Sequence, residues 1–308
     1  MNILFRADSS STIGTGHIMR DLVLAKQYLN DKILFAAQDL NGNINHKISE
    51  AGYEIHTLDS TDVEELDKLI KTLNIDLLVI DHYGIDAKQE KQLKTENSTL
   101  KILSFDDTYE KHHCDILLNH NISADKKKYK GLVPKDCELR CGSKYTLLRD
   151  EFIKEKQRVE KKRTNYSSNI IIFLAMGGAD HSNKNIKILK VLKRFKNLKV
   201  NLVTTNANKN LKELKNYSKN KKWINLYINS NKIAKLMIES NFAIVTPSVT
   251  VNEVYFLGIP MITIKTADNQ IDMYKYLKTK NFLVLKEFNQ KKLEKSLFRM
   301  IKKIKGNK

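Results

Sequence analysis

Three times in this sequence a short unbroken apolar run ends in a turn of small residues and passes straight into a helical pattern. Ile3-Leu4-Phe5 leads through Gly14 and Gly16 to Ile18, Leu22, Ala25 and Leu29 at helical spacing. Ile170–Ala175 leads through Met176-Gly177-Gly178-Ala179-Asp180 to a helical pattern over Asn185–Arg194. Phe242–Val245 leads through Thr246-Pro247-Ser248-Val249-Thr250 to another over Val251–Leu257. Strands that are apolar on both faces belong inside parallel sheets, and parallel pairing requires a crossover such as a helix. The pattern therefore restricts the chain to an α/β architecture with helices on both sheet faces.

The alternation continues between these points. Further strands are expected at Ile33–Ala36, Glu54–Thr57, Leu77–Ile80, Ile102–Phe105 and Ile116–Leu118, with helices at His17–Asn30, Ile44–Ala51, Val63–Leu73 and Lys88–Leu93. In the second half, strands are expected at Val200–Val203, Ile224–Ile228, Met261–Ile264 and Leu283–Leu285. Helices there are expected at Leu211–Tyr217, Ile233–Glu239 and Ile271–Thr279, and a last basic helix, Lys291–Lys303, carries Leu293, Leu297 and Ile301. Between Glu151 and Ser168 the pattern gives way to Lys154, Lys156, Arg158, Lys161, Lys162 and Arg163, which reads as a solvated helix or linker. The expectation is a Rossmann-like domain over 1–150, a linker over 151–168, and a second Rossmann-like domain over 169–308, facing across a cleft. A length of 308 residues accommodates two domains.

The net charge of +19 raises the question of a nucleic-acid or anionic-membrane partner. Only eight of the 54 basic residues are Arg, and the lysines spread over the whole chain. Readers of phosphates and base edges concentrate Arg, so no nucleic-acid partner is expected. A diffuse positive field instead suits an anionic small substrate. No apolar run approaches the ~18–20 residues of a membrane span, and no secretory leader is visible, so a cytoplasmic protein without membrane insertion is expected. Cys114, Cys137 and Cys141 form no even disulfide set and are expected as reduced thiols.

Open α/β sheets bind ligands beyond the carboxyl ends of their strands, which singles out the residues in these turns. His17 falls in the first turn of its helix, where the partial positive charge of the terminus disfavours imidazolium. A neutral ring can accept a proton, making His17 a candidate general base. A histidine at this position can equally cap or pack the helix. The amides of Gly177-Gly178, with the following helix terminus, suit a phosphate, although the motif is neither a Walker loop nor a complete G-x-G-x-x-G. Ser248 is placed to cap the third helix while its neighbours donate to a phosphate. Glu253, one turn later, can accept from two ribose hydroxyls or act as a first-turn partner of the dipole. Asp81-His82-Tyr83-Gly84, Asp106-Asp107 and Asn119 end the fourth, fifth and sixth strands. These acids match no standard metal spacing, and no metal is assigned. His112-His113 reads as structural or exposed.

Phe5-Arg6-Ala7-Asp8-Ser9-Ser10-Ser11, Ile13-Gly14-Thr15-Gly16-His17 and Arg20-Asp21-Leu22 resemble the opening of the UDP-sugar hydrolases of pseudaminic acid biosynthesis. The resemblance extends through Ile80–Gly84, Leu103–Asp107, Arg140-Cys141-Gly142, Leu148-Arg149, Met176-Gly177-Gly178 with Asp180, and Asn252-Glu253, so it spans nearly the whole chain. It implies a GT-B-like fold related to the lipid II N-acetylglucosaminyltransferases. It also implies release of UDP from a UDP-linked 2,4-diacetamido-2,4,6-trideoxy hexose by inverting water attack at the anomeric carbon, without metal or cofactor. His17 matches the family's catalytic histidine and Tyr83 a tyrosine near the sugar. On this expectation Asp8, Gly16, Arg20, Tyr83, Asn119 and Arg149 face the sugar, while Gly177, Gly178, Asp180, Ser248, Thr250, Asn252 and Glu253 hold UDP. The partners are a UDP-sugar and water, acting on a monomer. Ala179 departs from the hydroxyl residue that relatives often carry there. The alternative implied by the same fold is a glycosyltransferase with a UDP-sugar donor.

Overall fold

The computed structural model describes residues 1–160, 169–180 and 182–306. The chain divides into two compact units, Met1–Leu148 and Arg149–Lys308. Unit 1 contains β1 (Asn2–Ala7), α1 (Gly16–Ala25), β2 (Lys32–Gln38), α2 (His46–Glu50), β3 (Glu54–Leu58) and α3 (Val63–Leu73). It continues with β4 (Leu77–Asp81), α4 (Ala87–Glu96), β5 (Lys101–Phe105), β6 (Ile116–Asn119) and β7 (Glu138–Cys141). All seven strands are parallel, in the order β3-β2-β1-β4-β5-β6-β7.

Successive residues of these strands serve opposite faces, which explains their unbroken apolar character. Leu4, Leu34, Leu78 and Ile102 pack with Leu66 and Ile70 of α3 and Leu93 of α4. Ile3, Phe5, Phe35, Val79 and Leu103 pack on the other side with Ile18 and Leu24 of α1 and Ile48 of α2. Strand β7 is absent from the expectation above. It is an edge strand whose Glu138 is exposed and whose Leu139, Arg140 and Cys141 are half-buried, so it has no apolar run to reveal it. Helix α1 stops at Ala25 instead of Asn30, because tight turns from Gln27 to Leu24 and Tyr28 to Ala25 bring the chain round to enter β2 at Lys32. Leu29, assigned to its apolar stripe, is 87% exposed.

Unit 2 begins with α5 (Asp150–Glu160), followed by β8 (Ile170–Ala175), α6 (Lys184–Leu192), β9 (Leu198–Thr204), α7 (Leu211–Ser218), β10 (Ile224–Ile228) and α8 (Ile233–Ile238). Then come β11 (Phe242–Val245), α9 (Val249–Phe256), β12 (Met261–Ile264), α10 (Ile271–Thr279), β13 (Leu283–Leu285) and α11 (Gln290–Gly306). Its six strands are parallel in the order β10-β9-β8-β11-β12-β13. The break between units comes ahead of the charged run assigned above to a linker. Residues 150–160 of that region form α5, which buries Phe152 completely and packs against α8. Burial of one such aromatic contributes about 1.5–3 kcal/mol toward holding the charge-rich helix on its unit. Lys161, Lys162 and Arg163 lie outside the described residues.

In each unit the strand order reverses direction once, between β1 and β4 and between β8 and β11. Ligands of doubly wound sheets bind beyond the strand ends at such a switch. The turn after β1 carries His17, β4 ends in Asp81, the turn after β8 carries Gly177-Gly178, and that after β11 carries Ser248.

Candidate active site

In unit 1, Ala7 at the end of β1 pairs with Asp81 at the end of β4. Between β1 and α1 the chain makes a knot of local hydrogen bonds. Ser10 and Gly14 exchange backbone bonds of 3.2 and 2.9 Å, and Ser10 Oγ accepts from the Thr12 and Ile13 amides. Gly14 sits at φ +89°, a conformation that side chains resist. This loop sets the entry to α1 and puts His17 at its second position, against β4.

His17 Nδ1 lies 2.7 Å from Asp81 Oδ1 and 3.1 Å from the Asp81 carbonyl oxygen. Arg20 Nη2 also approaches Nδ1, at 3.4 Å. Two acceptors at shorter distance decide the tautomer: Nδ1 carries the hydrogen and donates to Asp81, leaving Nε2 to accept. Arg20 grips the same carboxylate with Nε, 2.5 Å from Oδ2, and with Nη2 on Oδ1. Burial alone would raise the Asp81 carboxyl, but Arg20 and then His17 hold it well below the usual carboxylate range. Arg20 Nη1 stands 3.6 Å from Asp107 Oδ2, and Asp107 Oδ1 accepts from the Tyr83 hydroxyl at 2.8 Å. Tyr83 closes the circuit by meeting the His17 ring edge-on, with centroids 5.2 Å apart.

The helix terminus expected to govern His17 is therefore not its strongest neighbour. A terminus is worth about 0.3–1 kcal/mol, less than a buried charge-assisted hydrogen bond at 2.7 Å. The carboxylate acts in the opposite sense, stabilising the ring once it has taken a proton. In the sequence Asp81 is only an acid ending the fourth strand; its role as the partner of His17, 64 positions away, is visible only in the fold.

Several residues expected at the sugar have other tasks. Asp8 is 1% exposed and accepts from Arg6 Nη1 and Nη2 at 2.6 and 2.9 Å, from the Gln38 amide, and from His82 Nε2 at 3.0 Å. It braces the turn instead of facing a ligand. Asn119 is buried, donating to Tyr129 Oη and accepting from the Asn121 amide. Arg20 is committed to the two acids described above. Tyr83 and Gly16, in contrast, are exposed, and a Cβ on Gly16 would meet nothing within 4 Å. Asp106 caps its own loop, accepting from the Thr108, Tyr109 and Glu110 amides. His112 and the His113 amide both bind the buried Glu90 carboxylate, so that pair is structural. Beside the circuit, His120 is fully buried, has no hydrogen-bond partner on either nitrogen among the described residues, and is pushed down to about 3 by burial. Among the described residues, no three His, Cys, Asp or Glu side chains converge as a metal site.

In unit 2, Gly177 adopts φ +81°, and a Cβ on Gly178 would come 2.9 Å from Thr205 Cγ2. The two helix termini expected to receive phosphate differ. Asp180 is buried and accepts from the Lys184 and Asn185 amides at 2.8 and 3.0 Å, so α6 is already capped by a carboxylate. Asp180 therefore serves as a cap of α6. Ser248, at the N-cap of α9, pairs its hydroxyl with Thr246 at 3.0 Å and makes no cap bond, contrary to the expected capping role. The start of α9, with Thr250 half-buried in its first turn, remains open to an anion. Asn252 is 1% exposed. Glu253 keeps 14% of its side chain accessible and meets Arg149 Nη2 at 3.1 Å, while Arg149 Nη1 binds Glu151 at 2.7 Å. Burial raises the Glu253 carboxyl to about 7, with Arg149 opposing and Glu151 reinforcing.

No family model matches the chain. It is 43% identical over 284 residues, 92% of its length and 98% of the relative's, to the UDP-2,4-diacetamido-2,4,6-trideoxy-β-L-altropyranose hydrolase of Campylobacter jejuni subsp. jejuni serotype O:2. The crystal structure of Acinetobacter baumannii MurG superposes with a TM-score of 0.66 at 12% identity, covering 99% of this chain and 91% of that one. The spinosyn rhamnosyltransferase SpnG superposes at 0.67 and 11% identity, covering 98% and 92%. These two likenesses give the GT-B fold, and the first relative gives the family: the chain belongs to the UDP-2,4-diacetamido-2,4,6-trideoxy-β-L-altropyranose hydrolases and is an enzyme.

Proposed function

We propose that this enzyme hydrolyses UDP-2,4-diacetamido-2,4,6-trideoxy-β-L-altropyranose at the anomeric carbon, in pseudaminic acid biosynthesis. Water gives a proton to His17 Nε2 as its oxygen bonds the anomeric carbon from the face opposite UDP. The C–O bond to the diphosphate breaks, its electron pair leaves with UDP, and the anomeric configuration inverts. The observation that carries this reading is the Asp81–His17 pair, in which Nδ1 is occupied and Nε2 is left to accept. Asp81 balances the imidazolium that forms, and the Tyr83 ring restricts the orientation of His17.

Unit 2 binds the nucleotide in this reading. The open start of α9 at Ser248–Thr250 and the amides of Gly177 and Gly178 meet the diphosphate, so backbone dipoles receive the leaving-group charge and a metal is not required. Ionised Glu253 accepts from the ribose hydroxyls, with Arg149 beside it. The reading keeps a cytoplasmic enzyme acting on a small molecule; among the described residues no helix is long and apolar enough to cross a membrane. The GT-B fold also serves glycosyltransferases, so the deciding assay supplies the UDP-sugar and no acceptor. Stoichiometric UDP release is expected, with NMR showing a free diacetamido sugar of inverted anomeric configuration. In oxygen-18 water the label should enter the sugar; label in UDP would mean attack at phosphorus and overturn the mechanism.

A further inference from the structure

Asp21 is 0% exposed, and among the described residues no donor reaches either of its carboxyl oxygens. It follows His17 by four residues on α1, so the two side chains leave the same face of the helix one turn apart. The polar group against it is the Asp81 carboxyl, itself an acceptor. Two carboxylates cannot both be ionised in such a position without a large electrostatic cost. Arg20, gripping Asp81 with two nitrogens, determines which of them keeps the charge. Further charged or titratable groups around this pair, among the described residues, are His17 on α1, Tyr83 after β4, Asp107 after β5 and His120 after β6.

We propose that Asp21 is a positioning residue that holds a proton and donates it to Asp81, so that Asp81 stays fixed on His17 Nδ1. The inference rests on His17 acting as the base. Its consequence is specific. A neutral Asp21 supplies a fourth donor to Asp81, after His17 and the two Arg20 nitrogens. An ionised Asp21 would instead repel the Asp81 carboxylate and loosen its hold on His17 Nδ1. The shift of the Asp21 carboxyl well above its ordinary range, through burial and then the neighbouring Asp81 charge, is in the same direction.

The test uses the full-length enzyme and two substitutions. D21N keeps the shape and a donor, while D21L keeps similar bulk and removes the donor. Near pH 8.5, where Glu253 is ionised, the infrared spectrum of the wild type should contain a protonated-carboxyl carbonyl band, shifted in deuterium oxide, that D21N lacks. D21N should retain kcat to within about threefold, whereas D21L should lose about tenfold in kcat at unchanged KM, the value of one hydrogen bond to a buried carboxylate. D21N should also be active to higher pH than the wild type, because it has no proton to lose there. Absence of the band, or a D21L enzyme with wild-type kcat, would overturn the proposal. The infrared result does not depend on turnover, so it distinguishes a wrong assignment of Asp21 from a wrong assignment of His17.

Discussion

Replacing Glu253 by Gln should make the protein more stable in alkaline solution, although it removes a residue with an ion pair. The Glu253 carboxyl titrates near 7 in the folded chain against an ordinary 4.5, mainly because of burial. Below the ordinary value, folded and unfolded chains are both protonated at this position and no cost arises. As pH rises from there to about 7, the unfolded chain ionises and the folded chain does not, so stability is progressively lost. Above 7 the loss is complete and amounts to at most about 3 kcal/mol, from a shift of 2.5 units at 1.36 kcal/mol each. Gln removes this loss and weakens the hydrogen bond from Arg149, because the amide-oxygen acceptor no longer carries charge, while Arg149 keeps Glu151 at 2.7 Å. Allowing about 1 kcal/mol for that bond leaves a net gain of about 2 kcal/mol near pH 8.5, or roughly 4–8 °C in Tm, and no gain near pH 4.5. Thermal melts of both proteins across this range provide the check. Parallel stability curves with no alkaline gain for E253Q would refute the claim that burial governs this carboxylate. On the proposed UDP site, UDP should bind more weakly below pH 7, with proton release on binding seen by calorimetry in buffers of different ionisation enthalpy, and E253Q should lose both effects.

The remaining expectations concern unit 1. Substituting His17 by Asn should abolish turnover while leaving calorimetric UDP affinity within about twofold, since the base contributes only at the transition state; substantial turnover in H17N would remove His17 from its role. D81N should lower kcat by on the order of a hundredfold or more with little change in KM, because an amide can present its donor to Nδ1 and turn the imidazole to the wrong tautomer. A D81N enzyme that loses only substrate affinity would mean that Asp81 holds the sugar instead.

How far the sequence could be read varied with the range of the interaction. Strand and helix identities follow from apolar periodicity within a dozen residues, and Ile170–Ala175, Phe242–Val245, Met261–Ile264 and Val63–Leu73 appear at the expected limits. Periodicity misleads where it runs past a turn or is weak: Leu29 continues the apolar spacing of α1 but lies beyond its end, and β7 has no apolar run because it lies at a sheet edge. The candidate site was legible as a set of turns but not as a set of roles. Asp8, Asn119 and Asp180 are polar residues at strand ends, as ligand contacts would be, yet Arg6 and His82, Tyr129, and the first amides of α6 engage them.

The sequence by itself determined that this chain forms parallel α/β sheets and that its small-residue turns stand at the carboxyl ends of the strands. Those are local properties, set by which residues are apolar and at what spacing. Only the tertiary structure decided that β1 lies beside β4, because strand order depends on how all the crossovers pack and leaves no local mark. That adjacency brings Asp81 to His17 across 64 residues, sets Arg20 between Asp81 and Asp107, and buries Asp21 beside them. The histidine was visible in the sequence; the groups that give its two nitrogens different tasks were assembled by the fold.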